Sequence, residues 1–314
     1  MYTPYRSATL LVNPAARGVR GRIDPDRIAR YLRKASLRVE LAIPDSAAGA
    51  TEAAAKAAER GDDIVFAVGG DGSARDAALG LAGSHTALAA VPAGTVNIWA
   101  KETGLPAGVR AAIDAHLEGQ TVRVDLGRSD TGSGFLLMAS LGWDAEVTRR
   151  VSPGLKRRLG DIAYMLEGLR TVPFLRPTPT TWRTGGDQRS EDVAVMVISN
   201  TRLYGGLVRF APGALADDGQ LDIVALCPKS ALDTARLSAR LAASHVIGDS
   251  RVMHERAAEV VIETAGIPLQ LDGDFAGETP VRLWVDPGAL LVSVPAGPLP
   301  EILAASTRPP GFDT

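Results

Sequence analysis

Residues 69–73 read GGDGS and lie between an apolar run, Ile64–Val68, and an alanine-rich stretch, Ala74–Leu81, with helical character. A strand-to-helix turn leaves backbone N–H groups pointing outward at the helix start, where the dipole favours an anion and glycines let a phosphate approach. An ordinary Gly-rich turn has the same composition, so the motif alone leaves both readings open. Two further loops strengthen the phosphate reading. PAGTVNIWA (Pro92–Ala100) follows the apolar run Ala87–Val91, and VNPAARG (Val12–Gly18) follows the first apolar run. In open α/β sheets ligands bind outside the carboxyl ends of the strands. The expected phosphate contacts are therefore Gly69, Gly70, Gly72, Ser73, Gly94 and Thr95, with Asn13 and Arg17 as side-chain donors. Asp71 cannot donate to phosphate. A carboxylate in a phosphate cradle repels its ligand unless a cation intervenes, so Asp71 is expected to organise Mg²⁺ or ordered water, with a plain turn aspartate as the alternative.

The elements that must position these loops alternate in type. Strand Thr9–Val12 precedes a helix capped by Asp24 with Pro25 at its first position and Ile28, Tyr31, Leu32 and Ala35 on one face. Val39, Leu41 and Ile43 alternate as a strand. Thr51–Glu59 and Ala107–Leu117 read as helices before a strand at Thr121–Leu126. Strands separated by helices imply a parallel sheet covered on both faces. Beyond Asp130 the pattern becomes mainly β, with strands expected at Phe135–Leu141, Asp192–Ser199, Leu221–Leu226, Glu259–Glu263, Pro268–Leu271, Val281–Val285 and Leu290–Val294. Helices are expected at Leu155–Leu169 and Ser230–Ile247. The boundary is placed at 128/129, giving an α/β nucleotide-binding domain (1–128) and a β-rich domain (129–314), with Arg308–Thr314 a disordered tail.

At 314 residues and 46% hydrophobic content the chain has material for two cores. Its net charge of −2 gives no argument for nucleic acid as a partner. The N-terminus lacks an apolar signal core, and no run approaches the roughly 18 apolar residues of a spanning helix, so a cytoplasmic location is expected. A single cysteine, Cys227, excludes an internal disulfide, and His85, His116, His245 and His254 lack metal-ligand spacing. Five cations between Arg149 and Arg158 open an amphipathic segment that could face anionic headgroups or nucleotide phosphate.

Six motifs in order, VNPAARG, GGDGS, PAGTVNIWA, VDLG (Val124–Gly127), APGALADDGQLDI (Ala211–Ile223) and LDGD (Leu271–Asp274), resemble the diacylglycerol kinase catalytic-domain family, which includes bacterial diacylglycerol and sphingosine-type lipid kinases. The resemblance covers nearly the whole chain. It implies a parallel-sheet nucleotide domain beside a β-sandwich-like domain, with the extreme C-terminus returning to the first. It implies ATP as phosphoryl donor and Mg²⁺ as cofactor, with Thr95 and Asn97 in the third motif. It places Asp125 in an aspartate–water–Mg²⁺ network, Asp274 at the general base, and a structural Mg²⁺ on Leu215, Asp218 and Gln220.

The residues themselves keep alternatives open. Asp125 could cap a turn, Asp217-Asp218-Gly219 reads equally as a hairpin turn, and Asp272 is the next candidate base. Two positions depart from the family: Ile98 stands where many bacterial members carry an acid, and Asp274 where Glu is usual. Asp is shorter by one methylene, about 1.5 Å of reach. The resulting expectation is an ATP- and Mg²⁺-dependent kinase of a diacylglycerol-like lipid, met at the inner membrane face, with homodimerisation open. The rivals are an NAD-kinase-like enzyme that shares GGDG and a non-catalytic nucleotide or lipid sensor.

Overall fold

The fold is that of a computed structural model, which describes residues 3–142, 145, 177–206 and 208–303. The helix expected at Leu155–Leu169, the cations from Arg149 to Arg158 and the tail Arg308–Thr314 lie outside these residues. The chain divides into two compact units, one holding the described residues up to Leu126 and from Gly288 onward, the other Gly127–Pro287.

The first unit runs β1 (Ser7–Val12), α1 (Pro25–Lys34), β2 (Arg38–Ala42), α2 (Ala47–Glu59), β3 (Ile64–Gly69), α3 (Asp71–Leu81), β4 (Ala87–Pro92), α4 (Ile98–Glu102), α5 (Val109–Leu117) and β5 (Gln120–Ser129), whose last residues pass into the second unit. The parallel order is β2-β1-β3-β4. β1, β3 and β4 are buried along their whole length, which is why they read as unbroken apolar runs rather than alternating ones. Leu10, Phe66 and Ala89 are register neighbours across them and pack with Leu32, Ile113 and Leu117. The first helix is capped as its sequence predicts: the Asp24 side chain accepts the Asp26 N–H, Pro25 opens the helix, and Ile28, Ala29 and Leu32 face the core.

The second unit contains β6 (Gly134–Phe135), β7 (Met138–Gly142), β8 (Thr178–Thr184), β9 (Asp187–Val193), β10 (Val195–Ser199), β11 (Leu203–Tyr204), β12 (Val208–Arg209), β13 (Leu221–Leu226), α6 (Ala231–Ala242), β14 (Val252–Ala257), β15 (Glu259–Ile262), β16 (Pro268–Leu271), β17 (Asp274–Glu278) and β18 (Val281–Val294). One antiparallel sheet has the order β14-β13-β10-β7-β16-β17. In the other, β9 pairs β8, β8 pairs β15, and β15 pairs residues 281–284 of β18. Ala139, Leu141, Met196 and Ile198 of the first sheet share a core with Trp182, Val260, Ile262 and Leu283 of the second, forming a sandwich. β18 then continues past Pro287 into the first unit, where Val292 pairs in parallel with Leu88 of β4.

Several bounds differ from the sequence expectation. The run 192–199 is two strands, broken at Ala194, and the expected pair 281–285 and 290–294 is one strand that carries Pro287-Gly288 within it. β8, β14 and β17 were not expected; like much of β9, they are partly exposed and polar, so their apolar signal is weak. α6 stops at Ala242, with Ser244 in the left-handed region, rather than reaching Ile247.

His116 of α5 is fully buried. Its Nε2 lies 3.0 Å from the Ala90 carbonyl and its Nδ1 3.0 Å from Ser293 Oγ, joining α5 to β4 and β18. Burial pushes the imidazole pKa down to about 4. Since the unfolded chain takes up this proton near pH 6.5 and the folded chain only near 4, His116 contributes no pH dependence above 6.5. Stability then falls as the pH drops from 6.5 to 4, by about 3 kcal/mol. Urea unfolding across that window should give a slope that His116→Gln, whose amide can replace both contacts without titrating, reduces by this amount.

Candidate active site

The three N-terminal loops are tied together by main-chain hydrogen bonds. The Asn13 N–H donates to the Val68 carbonyl (3.0 Å), the Ala93 N–H to Gly69 (2.7 Å), and the Gly18 N–H to Ala93 (2.8 Å). The second and third loops touch through glycine. A Cβ on Gly94 would lie 2.5 Å from Gly70 Cα, which requires glycine at Gly94, and one on Gly70 would lie 3.3 Å from Gly94 Cα, a tight contact. α3 begins directly at Asp71 with Gly70 as its N-cap and no side-chain cap. A Cβ on Gly72 meets nothing within 4 Å. Gly69, Gly70, Asp71, Asn97 and Trp99 line a small recess there.

The side chains divide by orientation. Ser73 is buried, and its Oγ accepts from Asn13 Nδ2 at 2.9 Å, while Asn13 Oδ1 takes the Ala15 N–H. Asn97 has φ 52°, a conformation Asn tolerates better than most residues. Its amide closes on Gly94, accepting that N–H (2.9 Å) and donating to that carbonyl (3.1 Å). Arg17 is exposed and Thr95 half-buried at the loop tips.

The Asp71 carboxylate takes the Ile98 N–H on Oδ2 (2.9 Å) and the Trp99 N–H on Oδ1 (3.0 Å), capping α4 from another loop. Nothing in the sequence signals this bond, because its donors are main-chain groups 27 and 28 residues away. Ile98 itself is buried. Asp125 in β5 is 2% exposed and accepts the Gly288 N–H at 2.8 Å, which ties β5 to β18 where Gly288 has a φ of 59°.

In the second unit, LDGD is a two-residue hairpin. Leu271 pairs with Asp274, and Asp272 (φ 48°) and Gly273 (φ 84°) form the turn, as Asp-Gly does in type I′ hairpins. Asp274 is therefore the first residue of β17 rather than a turn residue, and it is exposed. The Asp272 carboxylate accepts the N–H groups of Leu136 (2.7 Å), Leu137 (2.9 Å) and Met138 (2.9 Å), so in this structure it holds the hairpin.

In the ADDG loop, Asp218 Oδ1 accepts the Gln220 N–H at 3.1 Å and Oδ2 pairs with Arg256. Arg256 also reaches Asp222 (3.3 Å), which His254 contacts at 2.7 Å. Burial raises the Asp218 pKa in spite of Arg256 and the Gln220 N–H. Among the described residues no group of three or more His, Cys, Asp or Glu side chains converges as a metal site.

Residues 7–129 match the diacylglycerol kinase catalytic domain, and residues 138–294 match the YegS C-terminal NAD kinase beta sandwich-like domain. The chain is 33% identical over 296 residues to the diacylglycerol kinase of Mycobacterium tuberculosis, covering 91% of this chain and 94% of that protein. It is 31% identical over 270 residues to a YegS-like lipid kinase of Pseudomonas putida, covering 85% and 88%. A crystal structure of a diacylglycerol kinase candidate from Bacillus anthracis str. Sterne shares the fold, with a TM-score of 0.82 at 23% identity over 94% of this chain and 97% of that one. The chain belongs to the diacylglycerol kinase catalytic-domain family. It is a lipid kinase, and so a phosphotransferase.

Proposed function

We propose that this lipid kinase transfers the γ-phosphoryl group of Mg²⁺-ATP to a hydroxyl of a diacylglycerol-like lipid at the membrane surface. The contact of Gly70 with Gly94, which aligns the start of α3 with the PAGTVN loop, carries the nucleotide part of this reading. In it the first unit is the ATP-binding domain and the second the lipid-substrate domain. Gly69, Gly70, Gly72, Ser73, Gly94 and Thr95 hold phosphate, with Asn13 and Arg17 adding side-chain donors and Asn97 shaping the loop. Asp71 and Asp125 supply oxygen ligands or water contacts for the nucleotide's Mg²⁺, which would neutralise charge on the phosphates. Asp274 accepts the lipid hydroxyl proton as that oxygen attacks phosphorus and ADP departs. Among the described residues no helix is long and apolar enough to cross a membrane.

Incubation with labelled ATP and diacylglycerol, other lipids, NAD or buffer alone tests the assignment. Transfer to diacylglycerol or a related lipid supports it. Transfer to NAD favours the NAD-kinase alternative, and ATP binding without transfer to any acceptor favours a sensor.

The Leu215, Asp218 and Gln220 site is proposed for a structural Mg²⁺. A carboxylate with two main-chain carbonyls suits a hard cation, although Arg256 already pairs with Asp218. Mg²⁺ should raise the melting temperature of the wild type through mass action and Asp218→Ala should abolish that rise, while in chelator the variant keeps only the deficit from losing Arg256 and the Gln220 N–H. Identical responses to Mg²⁺ in both proteins would make the loop a turn only.

A further inference from the structure

β16 and β7 direct Leu269, Leu271, Ala139 and Leu141 into the sandwich core. Gln270 and Ser140 therefore point to the opposite face, where they are direct cross-strand partners. Both are buried, at 4% and 0% exposure, and Ser140's other neighbour on that face is the apolar, fully buried Val197. Packing alone would be served by an apolar pair, since a buried amide and hydroxyl must be hydrogen-bonded merely to offset their desolvation.

The hydrogen bonds of Gln270 have a direction. Its Oε1 accepts the Gly273 N–H at 2.5 Å and its Nε2 donates to Ser140 Oγ at 2.6 Å. The orientation of the amide follows from its partner, because a main-chain N–H can only donate. Gln270 thus spans from the middle strand of three to the turn immediately before Asp274. On the other side of the turn, Asp272 is fixed by three amides of the segment leading into β7, and its own N–H donates to the Met138 carbonyl at 2.9 Å. Both turn residues are therefore referred to β7, Asp272 directly and Gly273 through Gln270 and Ser140.

We infer that Gln270 is a positioning residue for phosphoryl transfer, holding the Asp272-Gly273 turn so that Asp274 keeps one placement at the start of β17. The inference rests on Asp274 being the base. Asp274 directly follows the turn, so a shift of the turn displaces its backbone, and a displacement of about 1 Å at a reacting group can cost about 10²-fold in rate.

The test uses the full chain with Mg²⁺-ATP and diacylglycerol in detergent micelles. Gln270→Leu removes both hydrogen bonds at similar volume and should lower kcat about 10- to 100-fold with the KM for ATP unchanged. In the Asp274→Asn background it should cause no further fall, because a positioning residue has nothing left to position. Ser140→Ala, which removes the hydroxyl that anchors Gln270, should lower kcat several-fold with the same dependence on Asp274. It carries the test if Gln270→Leu does not melt as a native protein.

Wild-type kcat in a folded Gln270→Leu protein, or in Ser140→Ala where Gln270→Leu fails to fold, would overturn the inference. So would a full additional loss on top of Asp274→Asn. If Asp274→Asn is slow while Gln270→Leu is normal, only this inference fails. If Asp274→Asn itself turns over at the wild-type rate, the base assignment fails and takes the inference with it.

Discussion

Asp274→Asn is expected to slow phosphoryl transfer to diacylglycerol by about 10²–10⁴ while ATP affinity barely moves. Asn keeps the shape of the side chain and removes only its basicity, and the site is on an exposed strand start whose turn is anchored elsewhere. Asp71→Asn should behave differently. The Asp71 carboxylate accepts two main-chain N–H groups at the start of α4; an amide has one acceptor oxygen, so one N–H loses its partner and nucleotide affinity should fall. Asp272→Asn is a third case. Its three amide donors lose an anionic acceptor, so stability should fall before any effect on basicity could be read. Asp274→Glu tests the departure from the family: a slower enzyme means this branch is adapted to the shorter acid, and a faster one means Asp274 reaches its substrate poorly. Steady-state kinetics with calorimetric ATP titration separate these outcomes, and a wild-type rate in Asp274→Asn would move the base elsewhere.

The parts of the fold legible in the sequence are those where local chemistry and burial agree. β1, β3 and β4 are buried on both faces and announce themselves as apolar runs; Asp24-Pro25 caps and opens α1 from adjacent residues; Leu221–Leu226 and Pro268–Leu271 have the bounds their apolar runs suggest. β9 is nearly all polar because its side chains are exposed, so its partner in the ladder, not its sequence, makes it a strand. The candidate site divides in the same way. Glycine spacing marks GGDGS and PAGTVN as loops expected to approach a ligand, but the contact between Gly70 and Gly94 is a property of two loops at once. Similarly, Asp272 and Asp274 look equivalent in LDGD until Asp272 is seen to accept three amides 134–136 residues away. Gln270 and His116 gave no signal of their own, since a single polar residue in an apolar stretch is informative only with its partner.

Gly72→Val is the substitution expected to remove ATP binding without disturbing the fold. Glycine is required at Gly94 by the Cα of Gly70 2.5 Å from its missing Cβ, so a loss of affinity there would report a broken loop as readily as a blocked ligand. Gly72 is different. It is the second residue of α3, has no left-handed φ, and the place a Cβ would take is open. Inside a helix, valine is no worse a former than glycine, and its stiffer backbone loses less entropy on folding. The variant should therefore melt at or above the wild-type temperature. If the start of α3 receives the nucleotide phosphates, however, the two methyl groups stand where a phosphate must approach main-chain N–H groups, and affinity for Mg²⁺-ATP should drop by about 10²-fold or more, equivalent to about 2.8 kcal/mol. Differential scanning calorimetry and isothermal titration on the same preparation read both quantities. A stable Gly72→Val protein that binds ATP like the wild type would show that the phosphates do not enter over this helix turn, and the GGDGS assignment would fail with the fold intact.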